Sequence, residues 1–162
     1  MKSMTCAAAG LALLLGGMAG VAAADQGAQD PFGAFQSRFG GNQSFACKAP
    51  GGKTLNLNVG MPQADNDQMK AVPRAQWDHV LSIYLSHGTG GKIEASWGAP
   101  SFDASGASMS IRLQSGKTLV FQRTRAIPDP DADAQHFDRK PYFDLSIDGG
   151  PKLPCSQVFN AS

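Results

Sequence analysis

The chain has 162 residues, of which 17% are charged, with 14 Lys and Arg against 13 Asp and Glu and a formal net charge of +1. This near-balance gives no electrostatic reason to expect binding to nucleic acid or to an anionic membrane surface. A chain of this length corresponds to one domain with a single modest core.

The first 24 residues have the pattern of a secretory signal peptide. Lys2 provides a positive start, an apolar run follows, and Ala22-Ala23-Ala24 matches an Ala-x-Ala cleavage site. Because the apolar run is short and interrupted by glycines, a signal peptide is favoured over a membrane anchor. We therefore expect a periplasmic or secreted protein that begins near Asp25 and has no transmembrane anchor after cleavage. Without Lys2 its formal net charge is zero.

Residues 25–43 form a leader rich in Gly, Gln, Asn and Ser. Within it, Phe32, Phe35 and Phe39 are spaced at three and four, which predicts a short amphipathic helical turn that docks on the domain. Glycines in the leader oppose a long helix. A flexible leader is the alternative interpretation.

Residues 44–162 are expected to form one β-rich domain. A first hairpin joins a strand that begins at Ser44 to a second strand at 53–59, in which Leu55, Leu57 and Val59 alternate with polar residues. After a long connection at 60–76, the segment 77–87 is compatible with two structures. Apolar residues at 77, 80, 81, 84 and 85 follow a helical period, whereas those at 81, 83 and 85 fit a strand.

The clearest element is a hairpin at 107–125. A three-residue turn at 114–116, with Gly116 at positive φ, would pair Ile111 with Leu119 and Met109 with Phe121. This register places all the large apolar side chains on one face, which a two-residue turn would not do. The hairpin is therefore predicted to contain the three-residue turn.

Two further strands flank this hairpin. Residues 92–97 predict a strand with Ile93, Ala95 and Trp97 on one face, and residues 142–147 predict a last strand. Short strands separated by Gly- and Pro-rich turns indicate a mostly β fold. We expect a small antiparallel β-barrel or sandwich with one possible short helix at about 74–87.

The exported chain would retain two cysteines, Cys47 and Cys155. In an oxidising compartment they are expected to form one disulfide that ties the first strand to the last. Two free buried thiols are the alternative.

No pattern in the sequence supports catalysis, a cofactor or a metal site. The three histidines lack the spacing of zinc ligands, and no Gly-x-Ser-x-Gly nucleophile motif occurs. Glu94 is the one glutamate, so paired catalytic carboxylates would have to recruit aspartates such as Asp103 and Asp144. We therefore expect a protein that is not an enzyme and binds no cofactor.

An acidic loop at 129–133 resembles the opening of a calcium site, with Asp129, Asp131 and Asp133 at the right spacing. Ala134 stands where an EF-hand needs glycine, and Lys140 stands where it needs a bidentate glutamate. An EF-hand is excluded, while a weak surface calcium site and a solvated acidic loop both remain open.

Arg123 and Arg125 extend the apolar face of the hairpin, because they follow Leu119 and Phe121 with the same parity. One interpretation is a cationic rim to which a partner docks. In the other, the two side chains snorkel over the barrel end or pair with the acidic loop.

Four short segments share a family pattern: Phe45-Ala46-Cys47, Gly52-Lys53-Thr54-Leu55, Ala104-Ser105-Gly106-Ala107, and Asp148-Gly149 leading to Leu153-Pro154-Cys155. This pattern resembles the C-type lysozyme inhibitors of the MliC/PliC type. The resemblance implies a small periplasmic or lipid-anchored β-barrel with a disulfide between the early and late cysteines. It also implies that the Ser105-Gly106 loop inserts into the lysozyme cleft, with the serine hydroxyl directed toward the catalytic acids.

The expected function is therefore inhibition of a cell-wall hydrolase, either a lysozyme or a toxic effector against which the chain provides immunity. The partner-binding residues would be Ser105, Gly106, Arg123 and Arg125. The alternative is a non-catalytic envelope binding module for an unknown small ligand or protein. For a small ligand, we expect a closed apolar cavity lined by Trp97 and Phe121.

Overall fold

The computed structural model describes residues 30–40, 44–63, 72–88, 90–126 and 140–158. The predicted signal peptide at 1–24 and the predicted acidic loop at 129–133 lie outside these ranges, so neither expectation is tested by the structure.

The described residues form one α-helix, two 3₁₀ segments and nine strands. The helix α1 is Pro31–Phe39, and the 3₁₀ segments are Pro50–Gly52 and Arg74–His79. The strands are β1 Ser44–Lys48, β2 Thr54–Gly60, β3 Leu81–His87, β4 Ile93–Gly98, β5 Pro100–Phe102, β6 Ser108–Arg112, β7 Thr118–Arg123, β8 Phe143–Ile147 and β9 Leu153–Gln157.

The strands form one antiparallel sheet in the order β4-β3-β2-β1-β9-β8-β7-β6-β5. Its two edge strands, β4 and β5, are separated in the chain by Ala99 alone, so one stretch of chain pairs with β3 and then with β6. The sheet is thereby almost closed on itself. The predicted mostly β, antiparallel barrel is confirmed.

The line where β4 meets β6 is the seam of the barrel. The Gln114 amide donates to the Trp97 carbonyl at 2.8 Å, and Glu94 and Lys117 form an ion pair across the same line. The backbone of Arg112 approaches Gly98 so closely that a side chain there would collide with the Arg112 carbonyl oxygen. Glycine at this position therefore permits closure.

The central hairpin has the predicted register. Met109 pairs with Phe121 and Ile111 pairs with Leu119, and these four side chains are buried. Gly116 has φ +91°, as the three-residue turn requires.

The structure decides between the two interpretations of 77–87. Residues 81–87 are strand β3, and the preceding residues 74–79 form a 3₁₀ segment. Leu81, Ile83 and Leu85 face the core. The strand form prevails because β3 pairs with β2 on one side and β4 on the other, which satisfies its backbone groups.

Strand β4 places its large side chains outside the barrel. Trp97 and Ala95 share one face, as predicted, and pack with the buried Val72 and Val80 in a small cluster separate from the main core. Ser96 and Gly98 occupy the inward positions. The 3₁₀ segment covers this outer cluster through Trp77.

Helix α1 packs against the main core. Asp30 caps it by accepting from the Gly33 amide at 2.8 Å, and Pro31 occupies the first turn. Phe35 and Phe39 are fully buried against inward-facing rings of the barrel, including that of Phe121. The helix therefore covers the barrel end at which β7 ends and β8 begins.

The predicted disulfide is confirmed. Cys47 of β1 and Cys155 of β9 lie directly opposite each other in the sheet and are joined by a bridge with a sequence separation of 108. The first and last strands are thus both hydrogen-bonded and covalently linked.

Candidate functional site

Residues 103–107 connect β5 to β6 and contain the predicted Ser105-Gly106 pair. Together with Ser108, the first residue of β6, we call this segment the 103–108 loop. The Asp103 carboxylate accepts from the Ser105 hydroxyl at 2.8 Å and from the Ser108 amide at 3.0 Å. The Ser105 oxygen in turn accepts from the Ala107 amide at 3.2 Å. These local bonds give the loop a defined conformation in the free protein.

The hydrogen bonds also keep Asp103 charged. The Ser108 amide, followed by the Ser105 hydroxyl, lowers the pKa of the Asp103 carboxyl below its ordinary value. The loop therefore carries a carboxylate that is hydrogen-bonded to the exposed Ser105.

Gly106 faces the protein, in contrast to its exposed neighbour Ser105. It has φ +65°, and a β-carbon built there would lie 2.9 Å from Arg38 Nε. The Arg38 guanidinium also stacks on Phe102, with Cζ 4.3 Å from the ring centroid. Arg38 of helix α1, which stacks on Phe102 of β5, therefore supports the loop on the side where Gly106 is buried.

Sequence reasoning did not identify Arg38. Its position three residues after Phe35 places the two residues on neighbouring parts of the helix surface, but nothing in the sequence connects it to residue 106. Arg38 Nη1 is buried, and it has no hydrogen-bond partner among the described residues. The Arg38 side chain lies over the ring of Phe102 and fills the space where Gly106 would otherwise have room for a β-carbon.

The two predicted rim arginines have different roles. The Arg123 amide donates to the Ala107 carbonyl at 2.8 Å, so half-buried Arg123 adjoins the 103–108 loop. The Arg125 side chain instead donates hydrogen bonds to two backbone carbonyls. Its Nε donates to the Pro141 carbonyl and its Nη2 to the Lys140 carbonyl, both at 3.1 Å.

The structure therefore brings Ser105, Gly106 and Arg123 together at one end of the barrel. The Arg125 guanidinium also stacks on Tyr142 at 4.2 Å, in a position that braces the chain around 140–142. Whether either arginine contacts the acidic loop lies outside the described residues.

A cleft lies across the seam, between the 3₁₀ segment Arg74–His79 and the turn after β6. This seam cleft has a volume of about 620 Å³. Its lining residues are Gln76, His79, Val80, Trp97, Gly98, Ala99, Arg112, Leu113, Gln114 and Gly116. Trp97 lines this external cleft, whereas Phe121 points into the core, so the two do not share a cavity.

Within the described ranges, no group of three or more His, Cys, Asp or Glu side chains is placed to hold a metal ion. In the same part of the chain, no helix combines the length and apolar character needed to cross a membrane.

In comparisons with known proteins, no family model, no curated sequence and no solved structure matches this chain.

Proposed function

We propose that this chain is a non-catalytic periplasmic protein that inhibits a cell-wall hydrolase, either a lysozyme or a toxic effector, by presenting the 103–108 loop to its active site. One observation carries the proposal. The exposed Ser105 hydroxyl is held in a fixed orientation by Asp103 and Ala107, on a loop supported from below by Arg38.

A preorganised loop is suited to inhibition because little conformational freedom is lost when it binds. Ser105 is also small enough to enter a cleft that a larger side chain would not fit. Its hydroxyl has one donor and two acceptor sites, and it already uses the donor and one acceptor inside the loop. One acceptor site therefore remains for a partner.

The charge on Asp103 determines which partner groups this loop can meet. Glycosidases pair an ionised carboxylate with a general acid whose raised pKa keeps it protonated near neutral pH. That protonated acid can donate to Ser105 Oγ or to Asp103. The ionised carboxylate can accept from Ser105 only if the hydroxyl gives up its hydrogen bond to Asp103 and turns its hydrogen toward the partner, so we expect the contact to be made with the general acid.

Location in the periplasm is supported by the predicted signal peptide and by the disulfide, which is compatible with an oxidising compartment. The protein partner would then be an enzyme that acts on the cell wall in the same compartment.

The test is a pull-down from periplasmic extract together with inhibition of cell-wall lysis by a panel of muramidases. We expect stoichiometric inhibition by the parent protein. Ser105→Ala should weaken inhibition about tenfold or more, because a hydrogen bond in a desolvated contact is lost. Ala104→Trp should abolish inhibition by adding bulk at an exposed position of the same loop.

The matched control is Ser115→Ala. Ser115 is also exposed and also precedes a glycine of positive φ, but it belongs to the turn after β6. Its replacement should leave inhibition unchanged. If neither the panel nor the extract yields a partner, or if the two serine variants behave alike, the proposal is wrong.

A further inference from the structure

The polar residues that line the seam cleft are basic or neutral, and none is acidic. Its lining residues include Arg112, Gln76 and Gln114 but no aspartate or glutamate. Arg112 lies on the outer face of β6, and its guanidinium has no hydrogen-bond or ion-pair partner in the part of the chain that the structure describes. Among the described residues, the cleft therefore offers a cation without a counter-charge.

The apolar part of the lining lies beside this cation. Val80 and Leu113 are buried, and Trp97 is half-buried in the outer cluster that it forms with Val72 and Val80. A molecule that fills the cleft would meet an aromatic and aliphatic surface together with a guanidinium.

Trp97 also has an unmet hydrogen-bonding requirement. Its Nε1 is buried and has no acceptor among the described residues. The neighbouring Trp77, by contrast, donates its Nε1 to the Val72 carbonyl at 3.0 Å. Because Nε1 is buried, a molecule in the cleft would meet apolar atoms of the Trp97 indole and not its N–H group.

We propose that the seam cleft binds a small organic anion, namely a carboxylate attached to an apolar body. The carboxylate would pair with Arg112, and the apolar body would lie against Trp97 and Leu113. A cleft of about 620 Å³ is within the size range of small-molecule sites. This site is separate from the 103–108 loop and does not depend on the proposed inhibition.

The probes are N-acetylphenylalanine and its uncharged counterpart N-acetylphenylalaninamide, which have the same apolar body. Binding is followed in two-dimensional amide and indole NMR spectra of the isotope-labelled, disulfide-bonded protein. Trp77→Phe assigns the two indole resonances, since Trp77 and Trp97 are the two tryptophans of the chain. We expect the acid to cause saturable shifts of the Trp97 indole and of residues 112–116. The amide should bind about tenfold more weakly or worse, because it lacks the charge.

Arg112→Gln should weaken binding of the acid about tenfold while leaving the binding of the amide unchanged. The matched control is Arg74→Gln, which removes the same charge from an exposed residue of the 3₁₀ segment that does not line the cleft. Equal binding of acid and amide overturns the assignment. So does an equal effect of the two arginine variants, or the absence of saturable shifts at Trp97 and 112–116. Ser105→Ala should not alter these shifts, which separates this site from the loop.

Discussion

Two Ser-Gly pairs in this chain have the same sequence but different surroundings in the structure. Ser105-Gly106 and Ser115-Gly116 are both turn sequences, and both glycines have positive φ. Yet Gly106 is buried beside Arg38, whereas a β-carbon at Gly116 would meet nothing within 4 Å. The Ser105 hydroxyl donates a hydrogen bond to the Asp103 carboxylate. In the part of the chain that the structure describes, the Ser115 side chain has no such bond to a carboxylate.

The lowered pKa of Asp103 predicts a specific pH dependence of stability. A carboxyl whose folded-state pKa is depressed stabilises the fold above its ordinary value of 3.8, and that stabilisation is lost as the pH falls through the lowered pKa. Asp103→Asn keeps an acceptor for the Ser108 amide but removes the charge. We expect the variant to unfold at lower urea concentration than the parent at about pH 7, and the difference to shrink below about pH 4.

The measurement is a set of urea unfolding curves for the parent and Asp103→Asn at several pH values. A difference in midpoint that does not change between neutral and acidic pH would show that the charge of Asp103 does not contribute to the stability of the loop.

At the scale of elements, helix α1 is both part of the core and a support for the candidate site. The spacing of Phe32, Phe35 and Phe39 predicted its docking face, and the structure buries all three. Phe35 contacts the rings of Phe45 and Phe121, with centroids 6.0 and 5.7 Å away. The same docking holds Arg38 beneath the 103–108 loop.

We therefore expect Phe35→Ala to reduce the free energy of unfolding by about 3–5 kcal/mol, as for other fully buried phenylalanines. Phe32→Ala, on the same face of the helix but 8% exposed and in no ring pair among the described residues, should cost less. Urea unfolding of both variants tests this order. An equal or reversed order would mean that the ring cluster around Phe35 does not hold the helix.

Strand β4 shows that alternation of apolar and polar residues does not tell which face of a strand lies inside the barrel. The sequence placed Ile93, Ala95 and Trp97 on one face, and this is so, but it did not show whether that face was inside or outside the barrel. Gly98 must lie inward because the backbone of β6 approaches it at the seam. The larger residues consequently face outward, where the 3₁₀ segment covers part of them.

At the scale of the whole molecule, two features hold the barrel together. The seam almost closes the sheet between β4 and β6, and the disulfide links β1 and β9, which already pair inside the sheet. Since the two strands are hydrogen-bonded without the bridge, the disulfide should stabilise the barrel mainly by restricting the unfolded chain.

We expect the Cys47→Ala/Cys155→Ala double variant to keep the β-rich circular dichroism spectrum of the parent but to lose up to about 4–5 kcal/mol of unfolding free energy. The parent refolded and unfolded in dithiothreitol should have the stability of the double variant. If instead the double variant were within about 1 kcal/mol of the oxidised parent, the chain-entropy explanation would fail.

The sequence by itself determined the local features of this protein. Alternation and turn chemistry predicted the register of the central hairpin, phenylalanine spacing predicted a docked helix, and the two cysteines that follow the predicted signal peptide predicted the disulfide. Each of these depends on residues close in sequence or on a simple count. The physical reason is that side-chain period and turn geometry are local properties of the backbone.

Only the tertiary structure decided how distant segments meet. Periodicity shows that a face is buried but not which surface buries it, so both the form of 77–87 and the outward face of β4 depended on neighbouring strands. The contact of Arg38 with Gly106, and the meeting of Trp97 with Arg112 across the seam, join residues far apart in the chain. These contacts arise from the closure of the barrel, which no local pattern encodes, and they create the two candidate sites.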